Sequence, residues 1–229
     1  MLRVGLTGGL GSGKSTAARL FAQRGAYILE SDAIGREMMQ PGEAVYAAIV
    51  EHFGPAVLGP GTKTGDRQLD RAVLAHIAFT EGRVEELNAI VHPAVIARQA
   101  ELAQTIFAKD PKAIVIVESA LIFETRHAEG KDRGSVPWRN RFDCIILVAA
   151  SEEIKIERYL QRLAAGVPLS PERRAELTAD ARRRLRQQIS DERKAELSDF
   201  VFVNDGSMAE LEEQVDELWP VLRFASVNT

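Results

Sequence analysis

The chemistry of this chain begins with Gly8-Gly9-Leu10-Gly11-Ser12-Gly13-Lys14-Ser15, which fits G-x-x-x-x-G-K-[ST] at every fixed position. Glycines let the backbone curl until successive N–H groups face one anion. A helix starting near Gly13 adds the positive end of its dipole. Lys14 is placed to reach the β- and γ-phosphates of a bound triphosphate, and the Ser15 hydroxyl to hold Mg²⁺. The plainer reading, a Gly-rich turn that only joins a strand to a helix, explains neither Lys14 nor Ser15.

Further candidates follow apolar runs that read as strands. In an open α/β sheet, ligands sit beyond the carboxyl ends of the strands. Asp32 follows the second run, Glu118 and Ser119 the third, and Asn204, Asp205 and Gly206 the fifth. Asp32 could align and deprotonate an acceptor hydroxyl, or simply cap the next helix. Glu118 could hold Mg²⁺ through water or form an ion pair at the sheet edge. Glu30 is a weaker candidate. The Arg-rich stretch supplies Arg158, Arg162 and Arg184 as cations for a transferring phosphoryl group, although interleaved glutamates make much of it a solvated helix face. His52, His76, His92 and His127 form no metal-ligand cluster, and His92 precedes Pro93 between two expected helices.

The elements that must position these groups alternate. Leu2–Thr7, Ala26–Leu29, Lys112–Val117, Phe142–Val148 and Asp199–Val203 read as short strands, largely apolar as a parallel sheet requires. Helices are expected from Thr16 on, from a Ser31-Asp32 cap through Met39, over Glu43–Phe53, Leu69–Phe79 and Arg83–Val91, and from Pro93 to about Phe107. Gly54–Asp66 is turn-rich. Glu152–Ala164, the Arg-dense stretch opened by Pro168–Pro171, and Ser207–Leu222 are helical. Thr125–Arg141 is polar without a clear period and reads as a surface insertion.

At 229 residues, 45% hydrophobic and 27% charged, the chain can bury a core without disulfides. Its one cysteine, Cys144, lies in an apolar run and reads as a buried strand residue. A net charge of −4 gives no reason to expect nucleic acid or an anionic membrane as partner. No leader pattern is visible, and apolar runs fall short of the roughly 18 residues of a spanning helix. A cytoplasmic setting is expected.

Nearly the whole chain, from Val4 to about Leu218, resembles the dephospho-CoA kinases. GLTGGLGSGKS is close to that family's phosphate loop, and ILESDAIGRE matches a segment usually built on Asp-Ala-Asp. LDRAVLAHIAF, LNAIVHPAV, ESALIFE, FDCIILV, RRLRQQ and SDFVFVNDGS match later blocks in order. The resemblance implies transfer of the ATP γ-phosphoryl group to the ribose 3′-hydroxyl of dephospho-CoA, the last step of coenzyme A synthesis. It makes Asp32 the base, and Lys14 and Arg158 its catalytic companions. Gly9, Gly11, Ser12, Gly13, Lys14, Ser15 and Thr16 would hold ATP, with Ser15 on Mg²⁺ and Asn204 and Gly206 near the nucleotide. Arg71, His92, Glu118 and Arg184 become acceptor- or phosphate-side candidates. Glu30-Ser31 replaces the usual Asp-Ala, Ala120 stands where the family mostly has proline, and Thr125–Arg141 and Ala164–Arg182 are longer than usual.

The expected fold is an α/β P-loop NTPase: a five-stranded parallel sheet flanked by helices. Its core is 1–30, 112–163 and 197–223, with a helical acceptor-binding insertion at 31–108 and a lid at 164–196. Partners are small molecules, and the chain is a monomer or weak homo-oligomer. Motif chemistry without the resemblance leaves open another small-molecule kinase, for a nucleotide, nucleoside or sugar acid. A regulatory NTPase switch is more distant. Val203-Asn204-Asp205-Gly206 lacks the Lys of a guanine motif, and Glu118–Leu121 stands where a switch Asp-x-x-Gly belongs.

Overall fold

The computed structural model describes residues 1–60, 67–124 and 138–228. The run Leu2–Thr7 forms β1, the middle strand of a five-stranded parallel sheet. Around it stand β2 (Tyr27–Glu30), β3 (Ile114–Glu118), β4 (Cys144–Ala149) and β5 (Phe200–Val203), in the order β2-β3-β1-β4-β5. β3 is buried at every position, as its unbroken apolar run predicts. The register sets Leu6 across from Glu118 and Glu30 across from Glu118, so two carboxylates meet at one end of the sheet.

Helices cover both faces. On one, α1 (Lys14–Gln23) and α10 (Met208–Asn228) bury Phe21, Leu211 and Val215 against Val4, Ile116 and Ile146. On the other, α2 (Ser31–Met38) and α5 (Val84–Lys109) bury Ile34, Val95 and Ala103 against Val115, Val117 and Ile145. Two smaller cores sit outside the sheet. α3 (Ala44–Phe53) packs Val45 and Ile49 on Leu74 and Ile77, with Leu74 on α4 (Arg71–Ala75). α7 (Glu152–Ala164) packs Tyr159 and Leu160 on Leu177 and Ala181 of α8 (Pro171–Arg186).

Several expectations need correcting. The helices expected on either side of His92-Pro93 are one, α5, with Pro93 inside it. An interior proline costs a helix about 3 kcal/mol. Here Leu87, Ile90 and Val91 pack on the α3 core while Val95, Leu102 and Ile106 pack on the sheet-side core, so burial on both sides of the proline outweighs that local cost. The helix expected over Leu69–Phe79 begins at Arg71, where Asp70 caps Ala72 and Val73, and passes into a π-helical turn over His76–Thr80. Leu69 instead bridges Leu58. Ser31 and Asp32 do not cap α2. They are its first residues, and Glu30 occupies the cap position without a side-chain hydrogen bond. The Arg-dense helix opens within the expected Pro168–Pro171 stretch, with Ser170 as its cap and Pro171 as its first residue. Within Thr125–Arg141, residues 125–137 lie outside the described residues, as do His127 and the 61–66 part of the turn-rich loop, while α6 (Trp138–Arg141) is a short helix. Cys144 lies in β4 as expected but is only half-buried there, its thiol pushed up to about 12 mainly by burial. Among the described residues, no helix is long and apolar enough to cross a membrane.

The last helix before β5, α9 (Asp191–Leu197), is held by buried charge. Lys194 is 0% exposed; its Nζ donates to the Ala120 carbonyl at 3.1 Å and pairs with Glu124 Oε1 at 3.0 Å. Removing one partner of such a pair leaves an uncompensated buried charge. Lys194→Ala is therefore expected to lower the unfolding free energy by roughly 3–5 kcal/mol. The check is urea denaturation, with Lys194→Met/Glu124→Leu expected to recover most of that loss.

Candidate active site

The phosphate loop is shaped by close packing as much as by its own sequence. Gly13 is the α1 N-cap with φ 95°, and its carbonyl accepts from Thr16 N at 2.9 Å and Ala17 N at 3.0 Å. A Cβ on Gly13 would overlap the Asn204 side-chain amide, and one on Gly11 would overlap the Lys155 carbonyl. Only glycine fits at either place, because α7 and the loop after β5 close on the turn. Ser12 N donates to Gly9 O at 3.2 Å, which sharpens the curl.

Three residues proposed separately from sequence form one chain behind this loop. Asn204 Nδ2 donates to the Ser12 carbonyl at 2.8 Å, and Arg158 Nη1 donates to the Asn204 carbonyl at 2.8 Å. Asn204 is buried and bound within the fold. Gly206 is exposed, two residues from the start of α10, and no hydrogen bond among the described residues joins it to the phosphate loop.

In front of the loop, Lys14 and Ser15 converge on Glu118. Ser15 Oγ donates to Glu118 Oε1 at 3.3 Å, and Lys14 Nζ stands 3.6 Å from the same oxygen. Burial is the main cause that raises the Glu118 pKa, and the nearby charges of Asp32 and Glu30 add to it; Lys14 and the Ser15 hydroxyl oppose the rise. A hydroxyl and a carboxylate, hard oxygens both, suit Mg²⁺, whose charge would relieve the repulsion among these carboxylates.

Beside this lies a cavity of about 310 Å³. α2 contributes Ser31, Asp32 and Arg36; α5 contributes His92 and Gln99; the turn after β3 contributes Ser119; and Arg141 comes from α6. Val91, Val95, Ile96 and Ile122 make much of the remaining wall apolar. Asp32 is exposed in the first turn of α2, where the helix dipole favours a carboxylate. Buried Gln99 links two walls: its Nε2 donates to Ser31 Oγ at 2.8 Å, and its Oε1 accepts from Arg141 Nη2 at 3.3 Å. Burial lowers the Arg141 pKa to about 10.

Asp32 and His92 thus share one cavity, while Lys14, Ser15 and Glu118 form a neighbouring group joined to it through the field of Asp32 on Glu118. Arg71 is exposed at the start of α4 and is not part of the cavity wall. Arg184 pairs with Asp180 at 2.8 Å, and both it and Arg162 stand over the Tyr159 ring.

Sequence reasoning missed four residues. Lys155 presses its carbonyl on Gly11 and pairs with Asp191 at 2.5 Å. Its spacing of four from Tyr159 places it on the inner face of α7, a signal that was available. Ser31, the first residue after β2, had the same strand-end signal as Asp32 but was read only as a cap; Gln99 and Arg141 carried none, and Arg141 belongs to a stretch read as surface. Its place in the cavity corrects that reading.

The family model for dephospho-CoA kinase matches residues 2–210. A dephospho-CoA kinase of Streptomyces avermitilis is 39% identical over 96% of this chain and 93% of its own length. One of Mycolicibacterium paratuberculosis is 36% identical over 96% of this chain, which spans 47% of that longer relative. A solved structure from Thermus thermophilus, 29% identical, superposes with a TM-score of 0.68 over 96% of this chain and 97% of its own.

The raised pKa of Glu118 has a measurable consequence. A carboxyl whose folded pKa is raised lends stability when protonated and loses it as pH rises above the ordinary glutamate value of 4.5. Glu118→Gln is therefore expected to raise the Tm of the ligand-free protein near pH 8, since a tenfold gain in proton affinity on folding corresponds to about 1.4 kcal/mol. That gain should shrink as pH falls toward 4.5. A pH-independent change across a series of thermal melts would show that Lys14 and Ser15 cancel the effect of burial, and a Tm loss near pH 8 that shrinks as pH falls would show that they outweigh it.

Proposed function

The chain belongs to the dephospho-CoA kinase family, and on that premise we propose that it transfers the γ-phosphoryl group of ATP to the ribose 3′-hydroxyl of dephospho-CoA, completing coenzyme A. The observation that carries this reading is the position of Asp32. It lines the cavity, and its charge acts on Glu118, the carboxylate that Lys14 and Ser15 of the phosphate loop reach. Acceptor and phosphoryl donor can therefore meet at one carboxylate.

In this mechanism the N–H groups of Gly9 to Thr16 cradle the triphosphate, and Lys14 neutralises its β- and γ-oxygens. Mg²⁺, when bound through Ser15 with Glu118 behind it, would supply further charge neutralisation at those oxygens. Asp32 accepts the proton of the 3′-hydroxyl as its oxygen bonds to the γ-phosphorus and the bond to the β–γ bridging oxygen breaks, releasing ADP. His92 lies on the acceptor side, on the insertion 31–108. Arg158 already stands at the phosphate loop through Asn204 and serves as a phosphate-side cation. Arg184 reaches the transferring group only if the lid 164–196 moves and Asp180 releases it. The same reading makes the chain a cytoplasmic enzyme whose partners are small molecules.

The test is an acceptor panel with ATP and Mg²⁺, read by ADP release. Dephospho-CoA is expected to give turnover well above the no-acceptor rate; turnover with a nucleotide or sugar acid but none with dephospho-CoA would overturn the reading. Asp32→Asn is expected to lower kcat by at least about 10²-fold, the scale of acid–base catalysis, with ATP binding retained in calorimetry. A near-normal kcat would leave Asp32 only its place in the first turn of α2.

A further inference from the structure

Most arginines on the outer faces of α8 and α9 have carboxylate partners: Arg173 with Glu176, Arg174 with Glu157, Arg183 with Asp180, Arg193 with Glu196. Arg141 has none among the described residues. Its guanidinium donates to Gln99 at 3.3 Å and stands 4.9 Å over the Phe142 ring. Arg36 lines the same cavity and also meets no carboxylate among the described residues. Partial burial of a cation without a counter-ion opposes folding, and it lowers the Arg141 pKa to about 10. A cavity wall that keeps Arg141 withdrawn from solvent without a carboxylate, and adds the exposed guanidinium of Arg36, is organised to receive an anion.

We propose that Arg141, held by Gln99 and joined by Arg36, binds the diphosphate of the acceptor. The inference rests on the acceptor assigned above. The two phosphates of dephospho-CoA are its only charged groups at neutral pH and hang from the 5′ carbon of the ribose whose 3′-hydroxyl Asp32 would engage. At about 310 Å³ the cavity is at the small end for ligand sites, which suits the nucleotide end of the acceptor rather than the whole molecule. The apolar wall of Val91, Val95 and Ile96 is available to the base. Arg141 is thus a specificity residue that separates a diphosphate-bearing acceptor from a bare nucleoside.

The variant is Arg141→Met, which keeps an unbranched apolar stem and removes the charge. KM for dephospho-CoA is expected to rise about 10–100-fold, the range for a lost charged hydrogen bond, with kcat changed by less than about threefold. Adenosine, with the same base and ribose but no phosphate, is read as substrate or as competitive inhibitor; its constant should stay within about threefold of wild type. The Tm without ligand should hold or rise, since an unpaired cation leaves the interior. Equal losses with adenosine and dephospho-CoA would mean a contact to the base or a structural role, as would a fall in Tm. Either result overturns the proposal, and so does an unchanged KM. Binding of inorganic pyrophosphate, with a non-hydrolysable ATP analogue saturating the phosphate loop, separates this from failure of the acceptor reading. Arg141-dependent pyrophosphate binding in a chain that does not phosphorylate dephospho-CoA retires the acceptor and supports the anion site. Turnover of dephospho-CoA with an Arg141-independent KM keeps the acceptor and retires the site.

Discussion

A partly compensated carboxylate sits where the elements of this protein meet. Glu118 ends the fully buried strand β3, beside Glu30 on β2 and near Asp32 on α2. Among the described residues, only Lys14 and Ser15, from the first turn of α1, answer it. A well-packed apolar residue would serve the core better, since burying a charge costs more than a 3.6 Å ion pair returns. Local conflicts of this kind gather at functional sites. This one makes the sheet end a place where a cation is wanted and where a neighbouring carboxylate feels any change in charge.

The phosphate loop is rigid for a related reason. It is pressed from one side by the carbonyl of Lys155 and from the other by Asn204, and Arg158 ties Asn204 to α7. The two halves of the stretch expected as a lid are held unequally. α9 is anchored by Lys194 to Glu124 and by Asp191 to Lys155, through ammonium groups withdrawn from solvent. α8 rests on α7 through a small apolar core, and its arginines are mostly exposed and paired along its own surface. Exposed ion pairs of that kind are worth little, so the apolar core is the main hold on α8.

Much of the fold was legible because it follows local rules. Five strands appear where apolar runs appeared, and Lys14–Gln23 forms a helix where the glycine turn ends. The misreadings share a cause. Pro93 looked like a helix start because its local cost is real, but two separate cores keep α5 continuous across it. Ser31-Asp32 looked like a cap by residue type, yet the chain turns into the helix one residue earlier, directly from β2, so both side chains are freed for the cavity. Arg141 looked like surface because its neighbours in sequence are polar, and no neighbour in sequence revealed the wall it joins.

What the amino-acid order determined by itself is the chemistry of contiguous residues. Gly8–Ser15 specifies a phosphate cradle because backbone curl, helix dipole, ammonium and hydroxyl all lie within eight residues. Asp32 was visible because a carboxylate just after a strand falls on the ligand-binding rim. Tertiary structure alone decided the rest. The Arg141–Gln99, Gln99–Ser31 and Lys194–Ala120 contacts join residues 42, 68 and 74 apart in the chain. No propensity or spacing relates such residues, and only the packing of α2, α5, α6 and α9 around the β3 end brings their side chains within hydrogen-bond reach.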